Sequence, residues 1–172
     1  MLKLLIKMIR TGVITEPSPD DSQCAALGAE LKRGLNRHFH GSIAIRHVDA
    51  GSCNGCELEI HALNNAFYNV ECYGVHFVAS PRHADVLLVT GPVSRHMEAA
   101  LRRTWEAMPT PKWVIASGIC ACDGGEFGIS YASCGAIENV LPVDLKIPGC
   151  PPSPFDLLSG LLQLMKRPRG HE

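Results

Sequence analysis

The chain of 172 residues has no surplus of charge of either sign: 16 Lys and Arg stand against 17 Asp and Glu, a formal net of −1. That balance gives no indication of nucleic-acid binding, which calls for a concentrated basic surface. Long apolar runs are absent too, and no stretch approaches the ~20 residues that a membrane-spanning helix needs. The apolar opening is broken by Lys3, Lys7 and Arg10 and carries no small-residue cleavage site, so it does not read as a secretory leader. Internal repeats and low-complexity tracts are also missing. What is left is the length of one domain with an ordinary hydrophobic content, enough to bury a core.

Cysteine is what the sequence has in excess. Eight are present: Cys24, Cys53, Cys56, Cys72, Cys120, Cys122, Cys134 and Cys150. A chain without a leader is expected to stay in a reducing cytoplasm, where clustered cysteines serve metal or redox chemistry rather than disulfides.

Met1 to Arg10 sets Lys3, Lys7 and Arg10 on one helical face, with Leu2, Leu5, Ile6 and Ile9 largely opposite. This suits a short amphipathic helix on a membrane surface or a hydrophobic partner, or one docked on its own domain. Thr15 to Ser22 is rich in Pro, Ser and Asp and reads as a linker, so residues 1–22 form an N-terminal segment ahead of a single domain at 23–167. The tail from Pro168 is expected to fray. A helix is predicted over Cys24–Arg37. Four Val- and Ile-rich runs follow, Ser42–Val48, Glu71–Val78, Asp85–Thr90 and Lys112–Ala116, separated by helical segments near Cys56–Tyr68 and Ser94–Met108, with a last helix at Phe155–Lys166. Strands alternating with helices predict an α/β fold with a four-stranded parallel sheet. Ligands in such sheets gather beyond the carboxyl ends of the strands. Cys53 and Cys56 follow the first strand, Cys120 follows the run Lys112–Ala116, and Cys150 sits in the loop Ile147–Pro152, which can reach the same edge.

A [4Fe–4S] cube takes four thiolates, one per iron, and a C-x-x-C pair can reach neighbouring irons. Cys53, Cys56, Cys120 and Cys150 supply such a set. Gly55 is expected to turn the chain between the first two ligands, its amide near cluster sulfur. Gly149, Pro151 and Pro152 stiffen the last loop. One C-x-x-C also serves thioredoxin-like redox pairs and zinc sites, so a structural zinc on Cys53, Cys56, Cys120 and Cys122 stays open.

The run His47–Ile60 (HVDAGSCNGCELEI) resembles the small subunit of [NiFe] hydrogenases, in particular the energy-converting branch of formate hydrogenlyase and hydrogenase-4 type. Leu141–Pro152 (LPVDLKIPGCPP) resembles the signature that branch shares with its counterpart in complex I, and Thr90–Val93, Gly118–Ala121 and Ile9–Pro17 also match. The spaced pair Cys53-x-x-Cys56 follows the hydrogenases, since the complex I counterpart has adjacent cysteines there. The resemblance implies a flavodoxin-like domain with helices on both faces and one [4Fe–4S] cluster at the carboxyl edge. It implies a peripheral electron-transfer subunit at the cytoplasmic side of the cell membrane, with no catalytic centre in this chain alone. Its partners would be a [NiFe]-hydrogenase-like large subunit, a ferredoxin-like iron–sulfur subunit and integral membrane subunits. A nickel-free hydrogenase-related complex, or a complex I-like quinone oxidoreductase, is the neighbouring alternative.

Within that frame Glu57 and Glu59 are candidates for a proton relay, against a plain helix-dipole preference for acids in a first turn. Gly91 is expected to give clearance beside the cluster. His47 and His61 flank the ligand loop, and Arg46 and Arg95 are candidate subunit contacts, against simple solvation. Cys122 and Cys134 are expected to stay out of the ligand set, and Cys24 and Cys72 to be buried apolar residues.

Overall fold

The computed structural model describes residues 2–11 and 21–166. Most of the predicted linker, the tail from Pro168 and part of the Ile9–Pro17 motif lie outside the described residues. The first helix, α1, spans Leu2–Thr11, and α2 spans Asp21–His38, taking in the end of the expected linker.

The core is a parallel sheet of five strands: β1 (Ile43–Asp49), β2 (Val75–Phe77), β3 (Val86–Thr90), β5 (Trp113–Ser117) and β7 (Leu145–Ile147), in the spatial order β2-β1-β3-β5-β7. This is the flavodoxin-like order, with its switch point between β1 and β3. A separate antiparallel pair joins β4 (Val93–Ser94) to β6 (Ser133–Gly135). Helices α2, α3 (Gly55–Ala62) and α6 (Pro154–Leu164) cover one face of the sheet, contributing Leu31, Leu35, Ile60, Leu157 and Leu158 against Ile43, Ile45, Leu88 and Ile115. Helices α4 (Arg95–Ala107) and α5 (Ile119–Asp123) cover the other, with Leu101 and Ala121 against Leu87, Val89 and Val114. Because both faces are covered, all five residues of β3 are buried, and Val86–Val89 reads as a continuous apolar run rather than an alternation.

The α/β architecture is as the sequence predicts, but the sheet has five strands, not four. The fifth, β7, pairs Leu145, Lys146 and Ile147 with Ile115, Ala116 and Ser117. Three residues are too few to carry a periodic signal. The expected strand Glu71–Val78 is shorter as well: Val70–Tyr73 forms a 3-10 turn, and Gly74 at φ 95° breaks the run before β2. Helix α3 stops at Ala62 rather than Tyr68, because Asn65 Oδ1 accepts the amides of Phe67 and Tyr68 and draws the chain into a turn. Among the described residues no helix is long and apolar enough to cross a membrane.

Candidate functional site

Four loops leave the carboxyl edge of the sheet and meet. The first leaves β1: Asp49 Oδ1 accepts the amides of Gly51 (2.8 Å) and Ser52 (2.7 Å) and turns the chain back toward Cys53. Asn54 then takes a left-handed conformation, φ 71°, and hands over to α3, whose first turn contains Cys56. The turn inside C-x-x-C is therefore made by Asn54. Gly55 is already helical, and a Cβ on it would meet Cys53 Sγ at an ordinary 3.6 Å, so the expected role of Gly55 as the turning residue is corrected. Its small size leaves the ligand pair uncrowded without being demanded by sterics.

The second loop follows β3. Gly91, φ 73°, lies so close to the first loop that a Cβ would sit 2.4 Å from Ser52 N. Its clearance is for the backbone that carries Cys53. The third loop follows β5 and brings Cys120 into α5. The fourth follows β7 and brings Cys150. Gly118 N–H donates to Ile147 O (2.8 Å) and Ile119 N–H to Gly149 O (2.9 Å), so the Cys120 and Cys150 loops are tied to each other by backbone bonds.

Together they enclose a cavity of about 210 Å³ lined by Cys53, Cys56, Cys120 and Cys150 with Gly51, Ser52, Gly55, Gly91, Pro92, Ile119, Phe127, Gly149 and Pro151. All four cysteines of the predicted set thus face one space. Cys53 and Cys150 are exposed at its mouth, whereas Cys56 and Cys120 are partly buried. Burial pushes the Cys56 thiol up to about 11, with further contributions from Glu57 and from Cys53, Cys120 and Cys150. Cys120 is raised by burial first and then by Cys150 and Cys53. Thiols held this way stay protonated at neutral pH, so metal ligation would release protons.

The remaining cysteines lie elsewhere. Cys122 is buried, with Sγ 3.6 Å from Ala116 O and 3.7 Å from Ile147 O, directed into the core and not into the cavity. Cys134 is buried and donates to Glu98 Oε2 at 3.3 Å. Cys24 is buried as expected, but Cys72 is exposed, because the 3-10 turn at Val70–Tyr73 replaces the strand that would have covered it. Among the described residues no group of three or more His, Cys, Asp or Glu side chains converges closely enough to hold a single metal ion.

Glu57 turns inward from the first turn of α3 and is 6% exposed. Its Oε1 accepts the Thr90 hydroxyl, His47 Nε2 lies 3.8 Å from the same oxygen and 3.0 Å from Thr90 Oγ1, and Oε2 is buried with no partner. Burial lowers the His47 pKa, opposed by Glu57. Glu57 also lines a second cavity of about 290 Å³, together with Arg46, His47, His61 and Asn64 among others. Glu59 is half-exposed and lines neither cavity. Arg95 is exposed and pairs with Glu98 at 3.9 Å.

Asn54, Gly118 and Thr90 escape the sequence reading as site residues. A Cβ on Gly118 would lie 2.6 Å from Cys56 Sγ, a clearance across 62 residues of chain that only tertiary contact defines. Thr90 closes a strand and looks like one more β-branched residue. The available signal was position: Thr90 ends a predicted strand, Gly118 stands two residues past another, and Asn54 lies inside the C-x-x-C that follows the first.

The family described as NADH ubiquinone oxidoreductase, 20 Kd subunit, matches residues 53–164. Formate hydrogenlyase subunit 7 of Escherichia coli is 39% identical over 163 residues, covering 91% of this chain and 62% of that protein. NADH-quinone oxidoreductase subunit 6 of Thermus thermophilus is 45% identical over 116 residues, covering 67% of this chain and 64% of that protein. The chain therefore spans less than two thirds of the length of either relative. Among solved structures, a chain of the archaeal membrane-bound sulfane sulfur reductase superposes with a TM-score of 0.65 at 32% identity, over 80% of this chain and 75% of that one. With the match running from the first cavity cysteine into α6, and so over more than half of its length, the chain belongs to the NADH ubiquinone oxidoreductase 20 Kd subunit family.

Proposed function

We propose that this protein is the electron-transfer subunit of a membrane-associated [NiFe] hydrogenase complex and holds one [4Fe–4S] cluster on Cys53, Cys56, Cys120 and Cys150. The observation that carries the proposal is the convergence of four cysteines, two from loops and two from the first turns of α3 and α5, on one cavity of about 210 Å³. The donor set fits such a group: four thiols arranged around a space lined mainly by Gly, Pro, Ile and Phe, rather than gathered on one point as tetrahedral zinc would need. Cys122, the fourth ligand of the zinc alternative, is directed into the core. When bound, the cluster would supply one-electron storage at the carboxyl edge of the sheet.

The chain's own residues give that site its character. The backbone bonds between the Cys120 and Cys150 loops hold those two ligands in place, so little there has to move when charge changes. Gly91 lets the backbone that carries Cys53 approach the end of β3. Glu57 holds a carboxylate behind Cys56, bonded to Thr90 and carrying a spare oxygen, and this is the atom we assign to a proton relay, in preference to Glu59. The proposed partners are a [NiFe]-hydrogenase-like large subunit, a ferredoxin-like iron–sulfur subunit and integral membrane subunits, with the complex on the cytoplasmic side of the cell membrane. The similarity to formate hydrogenlyase subunit 7 over 91% of this chain and the C-x-x-C spacing support this version.

A second reading, the equivalent subunit of a nickel-free or complex I-like quinone oxidoreductase, is favoured by the 45% identity to NADH-quinone oxidoreductase subunit 6. The two separate in the large subunit, where two intact C-x-x-C pairs signify nickel and their absence signifies the second reading.

The cluster itself is tested on anaerobically purified chain, which should contain about four irons and four sulfides and absorb broadly near ~400 nm. Cys150→Ser should remove most of that absorbance, whereas Cys134→Ser should leave it nearly intact. Equal losses in both variants, or a colourless chain with stoichiometric zinc, would refute the assignment.

A further inference from the structure

Helix α1 contains Lys3, Lys7 and Arg10 and no carboxylate. Its described side chains are all exposed: Leu2 is 73%, Ile6 49% and Ile9 75% open, and the three cations are open as well. The helix is therefore not docked on its own domain through these residues. Ten residues is shorter than the ~12–15 at which an isolated helix holds in water. At about 100° per residue, Leu2, Ile6 and Ile9 form one narrow stripe and Lys3, Lys7 and Arg10 form another beside it, so these cations border the exposed apolar side chains and do not lie opposite them as the sequence suggests. A helix this short, with an open apolar stripe bordered on one side by cations and containing no acid, needs an external surface that is apolar within and negatively charged at its boundary.

We propose that α1 is an interfacial anchor that lies flat on an anionic phospholipid surface, with Leu2, Ile6 and Ile9 immersed and Lys3, Lys7 and Arg10 reaching the headgroup phosphates. The charge pattern selects lipid over a groove in a protein. Three cations without one acid would need carboxylates at matching positions on a protein partner, whereas a sheet of anionic headgroups accepts them at any register. At about 1.5 Å per residue the helix is about 15 Å long, half the hydrocarbon thickness, so it lies in the interface and does not cross. One such helix binds reversibly and adds to whatever other attachments the complex has. The inference rests on the membrane-associated placement proposed above and not on the cluster.

The test uses the full chain and flotation with vesicles of phosphatidylglycerol and phosphatidylethanolamine, against vesicles of phosphatidylcholine alone. The chain should float with the anionic vesicles and be released by 1 M salt, where screening acts within about 3 Å. Replacing the cations together (Lys3→Gln, Lys7→Gln, Arg10→Gln) should weaken partitioning roughly hundredfold, at about fivefold per charge. Ile6→Asp with Ile9→Asp should abolish it, and hydrogen exchange of residues 2–11 should slow only when anionic vesicles are present. Equal flotation on both vesicle types, or undiminished flotation of the Ile6/Ile9 variant, overturns the proposal. So does a wild-type chain that stays at the bottom of the gradient, which would give α1 to a protein subunit instead. Iron and sulfide content of the same samples keeps the two readings apart: a colourless chain that floats sinks the cluster and spares the anchor, and a coloured chain that does not float does the reverse.

Discussion

A Cβ on Gly118 would lie 2.6 Å from Cys56 Sγ, and the residue's φ of 91° with ψ 155° belongs to a region that side chains avoid. Gly118→Ala is expected to cost about 1–3 kcal/mol of stability from the backbone alone. It should also displace the Cys56 sulfur, so cluster content should fall more than the stability loss explains; iron analysis on variant that remains folded separates the two. His47 gives a prediction in pH. Its folded pKa lies below its unfolded value of 6.5 because burial disfavours the imidazolium. The neutral ring's contribution to stability is therefore complete above pH 6.5 and is lost as pH falls through the folded pKa. Denaturant midpoints measured between about pH 7 and 5 should show the wild type losing ground relative to His47→Gln. A constant difference across that range would contradict the burial account.

Among the elements, α6 has the most explicit start signal. Ser153 and Asp156 form a capping box: the Asp156 amide reaches Ser153 Oγ at 3.2 Å, the Ser153 amide reaches Asp156 Oδ2 at 3.0 Å, and Pro154 occupies the first turn. The cap lies three residues after Cys150, so the end of one ligand loop is also the start of a core helix. Ser153→Ala should lower stability by about 1 kcal/mol, read as a shift in denaturant midpoint without a change in slope. The long strands and helices were legible because periodic or continuous apolar runs announce them, as in Val86–Thr90 and Arg95–Ala107. The elements that escaped are brief. Helix α5 has five residues and β7 three, and both are held in place by neighbours rather than by propensity.

For the whole molecule, no single loop makes the cavity. Cys53 and Cys56 are reached from β1, Cys120 from β5 and Cys150 from β7, so their meeting depends on the order β1-β3-β5-β7 being assembled. Ligation and folding should therefore be one event. In anaerobic denaturant titrations of the loaded chain, absorbance near ~400 nm and far-ultraviolet ellipticity should fall together, and an iron chelator should lower the midpoint. Leu87, fully buried at the centre of the sheet, is far from the mouth of the cavity yet should matter to it: Leu87→Ala should remove about 2–5 kcal/mol and shift both signals equally.

The residue order alone determined the chemistry on offer: four cysteines placed after strands or in a Pro/Gly loop, in a chain whose apolar runs dictate an α/β layer structure, because periodicity and local turn residues act over a few neighbouring positions. Tertiary structure decided the rest. It directed Cys122 into the core and left Cys72 at the surface, gave Asn54 rather than Gly55 the turn, buried Glu57 against Thr90, and required Gly118 opposite Cys56. Cys122, Glu57 and Gly118 depend on contacts between segments remote along the chain or on burial set by packing against the sheet, about which short-range sequence pattern carries no information, while the turns at Asn54 and Val70–Tyr73 are short local conformations without a periodic signal.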